Sequence, residues 1–238
     1  MLSRFRTIVT DFGSQFIDGV IVTLTLAFVG TIVGFIIALL FNIIRVQKVN
    51  ADDNFITRFW IKFSQGFVKV YVTIFRGTPM IVQAVIFYYS FYQMGIKWSP
   101  LAAGLFTISL NTAAYLTEVL RSGIESVDKG QYEAARSIGL GGFRTYLFVI
   151  FPQAIKNSFA SIGNELIVNI KDSSVLSVIT VVDLFSIADS AAGKYYWYVE
   201  AMLIAAVIYL LLTYCTSKAL YFIEKKLDIQ TKDIVSSN

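Results

Sequence analysis

Two acidic side chains, Glu165 and Asp172, lie in a stretch of sequence that is otherwise mostly apolar. Together with Ser158, Ser161 and Asn169 they recur at steps of three or four residues, so a helix would place these side chains on one narrow stripe. An ionisable group inside a bilayer is costly, which favours a position at a watered cavity or at a subunit interface. A carboxylate there can bind an ammonium group or a cationic side chain. Helix packing and a gating role are the alternatives for this stripe.

Further polar side chains interrupt uncharged stretches of the chain at Gln83 and Asn111. We take both, together with Asn169, as candidates for contact with a substrate. Hydrogen bonds of such side chains more often join membrane helices to each other, so packing is the commoner role for them.

A different kind of segment, YEAARSIGLGGFRTYLFVIFPQAI, runs from residue 132 to residue 155 and is charged, alanine-rich and glycine-rich at its start. A short helix is predicted over residues 128–138, because Asp128 is a good N-cap and Gly139 can end the helix in the left-handed conformation. Gly141 and Gly142 permit a sharp bend. A second helical piece is expected to begin at Phe143 and to reach the proline at position 152.

The first of these helices is too short to be stable alone in water, so it needs a surface on which to pack. Ala134 and Ala135 leave a shallow face for the groove of another protein, with Glu133 and Arg136 at the rim. The alternative is an ordinary loop between two helices that contains a helical turn.

The composition places these segments in a membrane protein. Of the 238 residues, 56% are hydrophobic and 15% are charged, and the mean hydropathy is +0.65, which is outside the range of soluble domains. With no histidine and only Cys215, a metal or thiol catalytic site is not expected. The net charge of +4 is spread along the chain, which disfavours nucleic-acid binding. Neither a GxxxxGK[ST] phosphate loop nor a nucleophile–base set is visible, so we expect no enzymatic activity in this chain.

Five transmembrane helices are predicted. Four come from uncharged runs long enough, or nearly so, to cross about 30 Å of hydrocarbon, namely residues 19–44, 77–96, 98–117 and 201–217. The fifth is the helix of the polar stripe, between residues 152 and 187. With five spans, the segments 45–76, 121–156 and 218–238 face the same side and hold 15 of the 20 lysines and arginines. The positive-inside rule therefore predicts a cytoplasmic C-terminus, an N-terminus outside, and a cytoplasmic location for the segment that begins at residue 132.

Several motifs resemble those of a known family. Glu133-Ala134-Ala135, followed after three residues by Gly139 and after nine more by VIFP, looks like the EAA loop of the membrane subunits of bacterial ABC importers. The stretches RGTP from position 76, LNTAAYLTEVLRSGIESVDKGQYEAA from position 110 and GNELIVNIKDSSVLSVI from position 163 resemble the permeases of the polar amino acid uptake branch. The resemblance covers roughly residues 15 to 228.

This resemblance implies an all-α integral membrane protein of the bacterial inner membrane with the type I ABC importer permease fold. Residues 15–228 would form its transmembrane domain and residues 128–142 the coupling segment, in which Glu133, Ala134, Ala135 and Gly139 dock into a cytoplasmic ABC ATPase. The family works as two permease subunits, identical or related, with two ATPases and an extracytoplasmic binding protein that delivers a polar amino acid. ATP and Mg would be bound by the ATPase, and no cofactor is expected in this chain. Glu165 and Asp172 match the family's GNE and KD positions, where an amino acid could meet the permease.

Two other classes of function remain open at this point. A secondary transporter driven by an ion gradient would also carry carboxylates in its spans, but it normally has internal repeats and more spans. A membrane scaffold that transports nothing would explain the docking segment but not the ionisable stripe.

Overall fold

The computed structural model of the chain describes residues 1–49 and 53–226, and within these ranges it consists of helices and turns without a strand. The helices are α1 Leu2–Arg45, α2 Phe55–Gly77, α3 Met80–Gln93, α4 Pro100–Glu125, α5 Lys129–Ser137, α6 Gly142–Thr145, α7 Phe151–Asp172, α8 Leu184–Tyr195 and α9 Tyr198–Lys226. A π-helical turn, Tyr146–Ile150, joins α6 to α7, and a 3-10 helix, Ser173–Ile179, extends α7. The predicted all-α class is confirmed for these residues. The last two residues of the predicted membrane domain, 227 and 228, and the rest of the predicted C-terminal cytoplasmic segment lie outside the described residues.

Helices α1, α4 and α7 form the centre of the bundle, where they are joined by buried amides. The side chain of Asn42 in α1 donates to the carbonyl of Thr117 in α4 at 3.0 Å. Asn169 in α7 donates to Thr31 of α1 and Thr112 of α4, both at 2.9 Å. Because a buried amide without partners is costly, these bonds fix the register of the three helices.

The bundle has two distinct ends. At the first, which we call the α5 end, the last residue of α1 meets the C-terminal part of α4 through an Arg45–Glu118 ion pair of 2.6 Å. At the other, the α8 end, the first turns of α1 pack on α8 and the start of α9, burying Ile8 and Phe12. Arg4 pairs there with Glu200 at 3.1 Å. Since α1 has 44 residues and is about 66 Å long, it extends well past a hydrocarbon layer of about 30 Å.

At the second predicted span, residues 77–96, the structure differs from one continuous helix across the membrane. The helix α3 has only 14 residues, and α2, which precedes it, is bent away from it by 109° at Thr78 and Pro79. The backbone is therefore broken directly before α3. Most of the predicted connecting segment 45–76 is helical in the structure, because the cations of α2 lie along one side of an amphipathic helix and do not break it.

The fifth predicted span, at residues 152–187, also has different limits. Helical structure begins at Gly142 and runs to Ile179, where Thr180 takes a left-handed conformation with φ of 64°. Asp183 then caps a separate helix, α8, by accepting a hydrogen bond from the backbone N–H of Ser186 at 3.0 Å. By length and apolarity, α1 and α9 each suit a membrane crossing, and the two bent pairs, α2 with α3 and residues 142–179 with α8, raise the number to as many as four. The remaining predicted span, 98–117, lies inside the 26-residue helix α4.

Candidate functional site

A polar cleft opens between α2 and α7, with α4 as its floor, on the part of the bundle towards the α5 end. It has two lobes that share Arg76 and Glu118. The lobe on the α7 side has a volume of about 390 Å³ and the lobe on the α2 side about 560 Å³. We call them the α7 lobe and the α2 lobe. The α7 lobe is lined mainly by hydroxyl, amide and charged side chains: Arg76, Tyr115, Glu118, Ser122, Ser126, Asn157, Ser158, Ser161 and Glu165.

The wall of the α7 lobe depends on an irregular helix start. A proline at position 152 would clash with the carbonyl four residues earlier in a regular helix. The wider π turn over Tyr146–Ile150 precedes it, with the N–H of Phe151 bonded to the carbonyl of Tyr146. α7 can therefore continue the helical rod through the proline and carry Ser158, Ser161 and Glu165 to the cleft.

The predicted polar stripe is divided by the structure. Glu165 is half-buried and lines the α7 lobe together with Ser158 and Ser161. Asp172 is exposed, lies two helical turns further towards the α8 end, and does not line either lobe. Asn169 is only 3% exposed and its amide is bonded to threonines of α1 and α4. The structure thus places Asn169 in the interior as a link between helices, although we expected it to contact substrate.

The two candidates from the other spans also have structural partners. Gln83 is buried and its side-chain N–H groups donate to the carbonyls of Phe75 and Thr78 at 2.9 and 3.0 Å. Its side-chain oxygen accepts a hydrogen bond of 3.0 Å from Asn111. These bonds satisfy carbonyls left free where α2 ends. Gln83 and Asn111 therefore hold the α2–α3 break in place, and neither lines the lobes of the cleft.

Arg76 is the residue of the cleft that the sequence did not single out. It lies in the last turn of α2, directly before the break, and its guanidinium lies 5.4 Å from the centre of the Tyr115 ring, a cation–π contact. Glu165 lines the same lobe from α7. An arginine facing a carboxylate across one cleft is an arrangement of opposite charges that a zwitterion can bridge. The signal available in the sequence was its position at the head of the RGTP motif.

Glu118 lines both lobes of the cleft and is the centre of a charged network. It accepts hydrogen bonds from Arg45 at 2.6 Å and from Arg121 at 2.8 Å, and Arg121 also pairs with Glu125 at 2.6 Å. Through these bonds Glu118 ties α4 to α1.

The short helix at the α5 end has the predicted caps. The side chain of Asp128 accepts a hydrogen bond from the N–H of Gly130 at 2.7 Å. Gly139 has φ of +88°, its N–H donates to the carbonyl of Arg136, and the N–H of the next residue, Leu140, donates to the carbonyl of Ala135. This pair of bonds is the Schellman motif, in which the left-handed residue is most often glycine.

The exposed face of α5 differs from the expected one. Ala135 is only 5% exposed and points into the protein, whereas we expected it to share a shallow outer face with Ala134. The inner side of α5 packs on the π turn, with the rings of Tyr132 and Tyr146 5.5 Å apart. Glu133, Ala134 and Ile138 are exposed, and Ile138 has 80% of its surface free. These three residues belong to the part of this segment that is open to contact from outside.

Comparison with protein families now relates this architecture to a known one. The family model for "Binding-protein-dependent transport system inner membrane component" matches residues 54–229, from the start of α2 to just beyond α9. The chain belongs to this family. The matched region contains the α2–α3 break, all of the cleft except Arg45, and α5.

Relatives of this permease are found in several bacteria. A protein of Rickettsia conorii named as a glutamine transport system permease is 39% identical over 89% of this chain and 92% of its own length. The nopaline transport system permease of Agrobacterium fabrum is 34% identical, covering 85% and 83% of the two chains. The arginine transport system permease of Bacillus subtilis is 33% identical, covering 89% and 91%.

Solved structures give the same result for the fold. The crystal structure of an amino acid ABC transporter with histidines superposes with a TM-score of 0.80 at 34% identity, covering 92% of this permease and 96% of that chain. The MetNI methionine ABC transporter, in an inward-facing conformation, gives 0.73 at 19% identity and is similar in fold. The predicted role of an importer permease in the inner membrane is confirmed by these comparisons, and the relatives are permease subunits rather than ATPases.

Proposed function

We propose that this permease forms the membrane path of an ATP-driven importer for a polar amino acid, and that the cargo passes through the cleft of α2, α4 and α7. The observation that carries the proposal is the position of Arg76 and Glu165 on opposite walls of that cleft. The guanidinium suits the α-carboxylate of an amino acid and the carboxylate suits its α-ammonium group. The hydroxyls of Ser158 and Ser161 offer further hydrogen bonds beside them. Relatives named for glutamine, nopaline and arginine transport support cargo of this kind.

We further propose that α5 is the coupling helix and that its outer face docks in a groove of a cytoplasmic ABC ATPase. Glu133, Ala134 and Ile138 present the exposed surface for this contact. Ala135 and Gly139 act indirectly, because Ala135 packs the helix against the protein and Gly139 ends it. ATP and Mg are bound by the ATPase. Movement of α5 is transmitted to α7 through the π turn, which α5 contacts.

This assignment gives the molecule an orientation. The α5 end is the cytoplasmic end, the N-terminus and α8 are outside, and five passages cross the membrane in a type I permease arrangement: α1, α2 with α3, α4, α7 and α9. Residues 15–228 make up the membrane domain and residues 128–142 the docking segment.

The assembly contains a second permease subunit, identical or related, and an extracytoplasmic binding protein that meets the α8 end. The network of Arg45, Glu118 and Arg121 then lies at the cytoplasmic rim, where basic residues are expected.

Reconstitution tests the proposal. The complex is purified through a tag on this permease, inserted into lipid vesicles and supplied with its binding protein and radiolabelled glutamine or arginine. We expect uptake that requires both ATP on the α5 side and the binding protein. Uptake that follows an imposed ion gradient without ATP would identify a secondary transporter. Failure of any ATPase to purify with the permease would favour a scaffold.

A further inference from the structure

The α2 lobe carries an excess of positive charge. Four cations line it, Arg45, Lys69, Arg76 and Arg121, against the single carboxylate of Glu118. That carboxylate is already bonded to Arg45 and Arg121. Within the part of the chain that the structure describes, neither Lys69 nor Arg76 has an ion-pair partner within 4.0 Å. Two cations on one helix wall are therefore left to act on whatever enters the lobe.

These two cations belong to a longer row along α2. Arg58, Lys62, Lys69 and Arg76 are separated by four, seven and seven residues, which places them on one side of the helix. The row lies between the buried residues of α2, Val68 and Val72, and an exposed aromatic face. Only its second half, Lys69 and Arg76, lines the cleft. The row thus leads from the α5 end to the helix break beside Glu165.

The helices that face α2, namely α4 and α7, contribute few carboxylates that could balance this positive charge. Glu165 lines the α7 lobe, and Glu125, which lines neither lobe, pairs with Arg121 of the α2 lobe. An amino acid held between Glu165 and Arg76 would neutralise both of these groups, and the unpaired charge of Lys69 would remain in the α2 lobe. A fixed unit charge about 8 Å from an ion changes the local concentration of that ion by roughly tenfold to thirtyfold, when the effective dielectric constant is that of a protein surface. Clefts with one sign of charge concentrate ligands of the opposite sign.

We infer that the α2 lobe is a carboxylate-binding, cation-repelling part of the cargo path, and that it restricts this importer to amino acids with neutral or acidic side chains. The inference rests on the proposed function, because it assigns a substrate class to the same cleft. A cationic amino acid would bring a second positive group against Lys69, whereas glutamine or glutamate would bring none.

The charge of the lobe is measured without knowledge of the cargo. Thr73, an exposed residue of the lobe, is replaced by Cys in a Cys215→Ser background, and the complex is held in nanodiscs of neutral lipid. The thiol is reacted with a sulfonate and with a trimethylammonium thiosulfonate reagent, and each rate is divided by that of a free thiol. In the otherwise unchanged protein we expect the normalised rate to be at least tenfold higher for the anionic reagent. Lys69→Glu should reverse this preference. Lys62→Gln, which lies outside the lobe, should leave it unchanged. Equal normalised rates for the two reagents would overturn the inference. A carboxylate of a neighbouring subunit that fills the lobe would give this result.

The substrate class is measured on the same nanodisc complex by equilibrium binding of radiolabelled glutamine, glutamate and arginine. Binding of glutamine or glutamate at least tenfold tighter than that of arginine is expected, with the ratio moving about tenfold towards arginine in Lys69→Glu. Arginine as the best ligand of the wild-type complex, or no binding of glutamine and glutamate, would refute the inference. ATP-driven uptake by the wild-type complex is recorded in parallel. If uptake is present and the ranking does not move in Lys69→Glu, only the inference fails, whereas absence of uptake rejects the proposed function itself.

Discussion

The helix α5 and the cleft are built in opposite ways. Helix α5 is a local structure: its two caps, Asp128 and Gly139, lie within the same dozen residues, and its bonds join near neighbours. The cleft is assembled from residues as far apart as Arg45 and Glu165, which four helices, α1, α2, α4 and α7, bring together. A locally capped segment can present one surface to a partner without reshaping the bundle. The cleft can change shape only when the helices move, which is what transport requires.

The largest effect is expected from the exposed face of α5. Ile138→Asp places a charge on a side chain that is 80% exposed, so the protein itself should lose little stability. If this face docks in an ATPase groove, the buried charge should release the ATPase and lower ATP-driven uptake by about a hundredfold or more. Co-purification of the ATPase and uptake in vesicles measure both effects. Ile138→Val keeps an apolar surface and serves as the matched control. Retention of the ATPase at wild-type level in Ile138→Asp would exclude this face as the docking site.

A substitution in the cleft should have the opposite pattern: uptake should fall while the ATPase stays bound. Glu165→Gln removes a charge that lines the cleft, and loss of a charged hydrogen bond should reduce uptake by about tenfold to a hundredfold. The ATPase should stay attached, because α5 is unchanged. Asp172→Asn removes an exposed carboxylate outside both lobes and should change uptake by less than about threefold. Equal losses in the two variants would contradict the division of the stripe that the structure gives.

The contrast between the local structure of α5 and the cleft assembled from distant residues also explains what the sequence could predict. The caps of α5 follow from residue types at fixed offsets, so its position and limits were predicted. The stripe on α7 was found from its periodicity, but periodicity gives a face and not the neighbour of each residue. Asn169 therefore could not be distinguished from Glu165 until Thr31 and Thr112 were placed beside it. Arg76 and the helix α2 were missed for a related reason, since a search for uncharged runs passes over an amphipathic helix whose charged residues lie along one side.

An intermediate effect is expected where α4 crosses α7 in the wall of the α7 lobe. A Cβ added at Gly123 would lie 2.6 Å from the carbonyl oxygen of Ala154 and 2.0 Å from the hydroxyl of Ser158. Gly123→Ala must therefore push α7 away, which we expect to lower the free energy of unfolding by about 1–3 kcal/mol. Thermal unfolding in detergent measures this. Gly66→Ala in α2, where nothing lies within 4 Å, should be neutral or slightly stabilising. A wild-type melting temperature in Gly123→Ala would show that the two helices have room to separate.

The smallest effect is expected from Asn169, and it distinguishes packing from substrate contact. Asn169→Ala removes two hydrogen bonds to Thr31 and Thr112, and interhelical bonds in membrane proteins contribute about 0.6 kcal/mol each on average. We therefore expect a loss of about 1 kcal/mol in unfolding free energy. The apparent KM for uptake should stay within about twofold of wild type, because the amide does not line the cleft. Thr112→Val removes one of its partners and should give a smaller loss of stability with the same KM. A tenfold rise in KM for Asn169→Ala with unchanged stability would instead move Asn169 from the bundle interior to the cargo path, and the division between the linked helices and the open cleft would have to be redrawn.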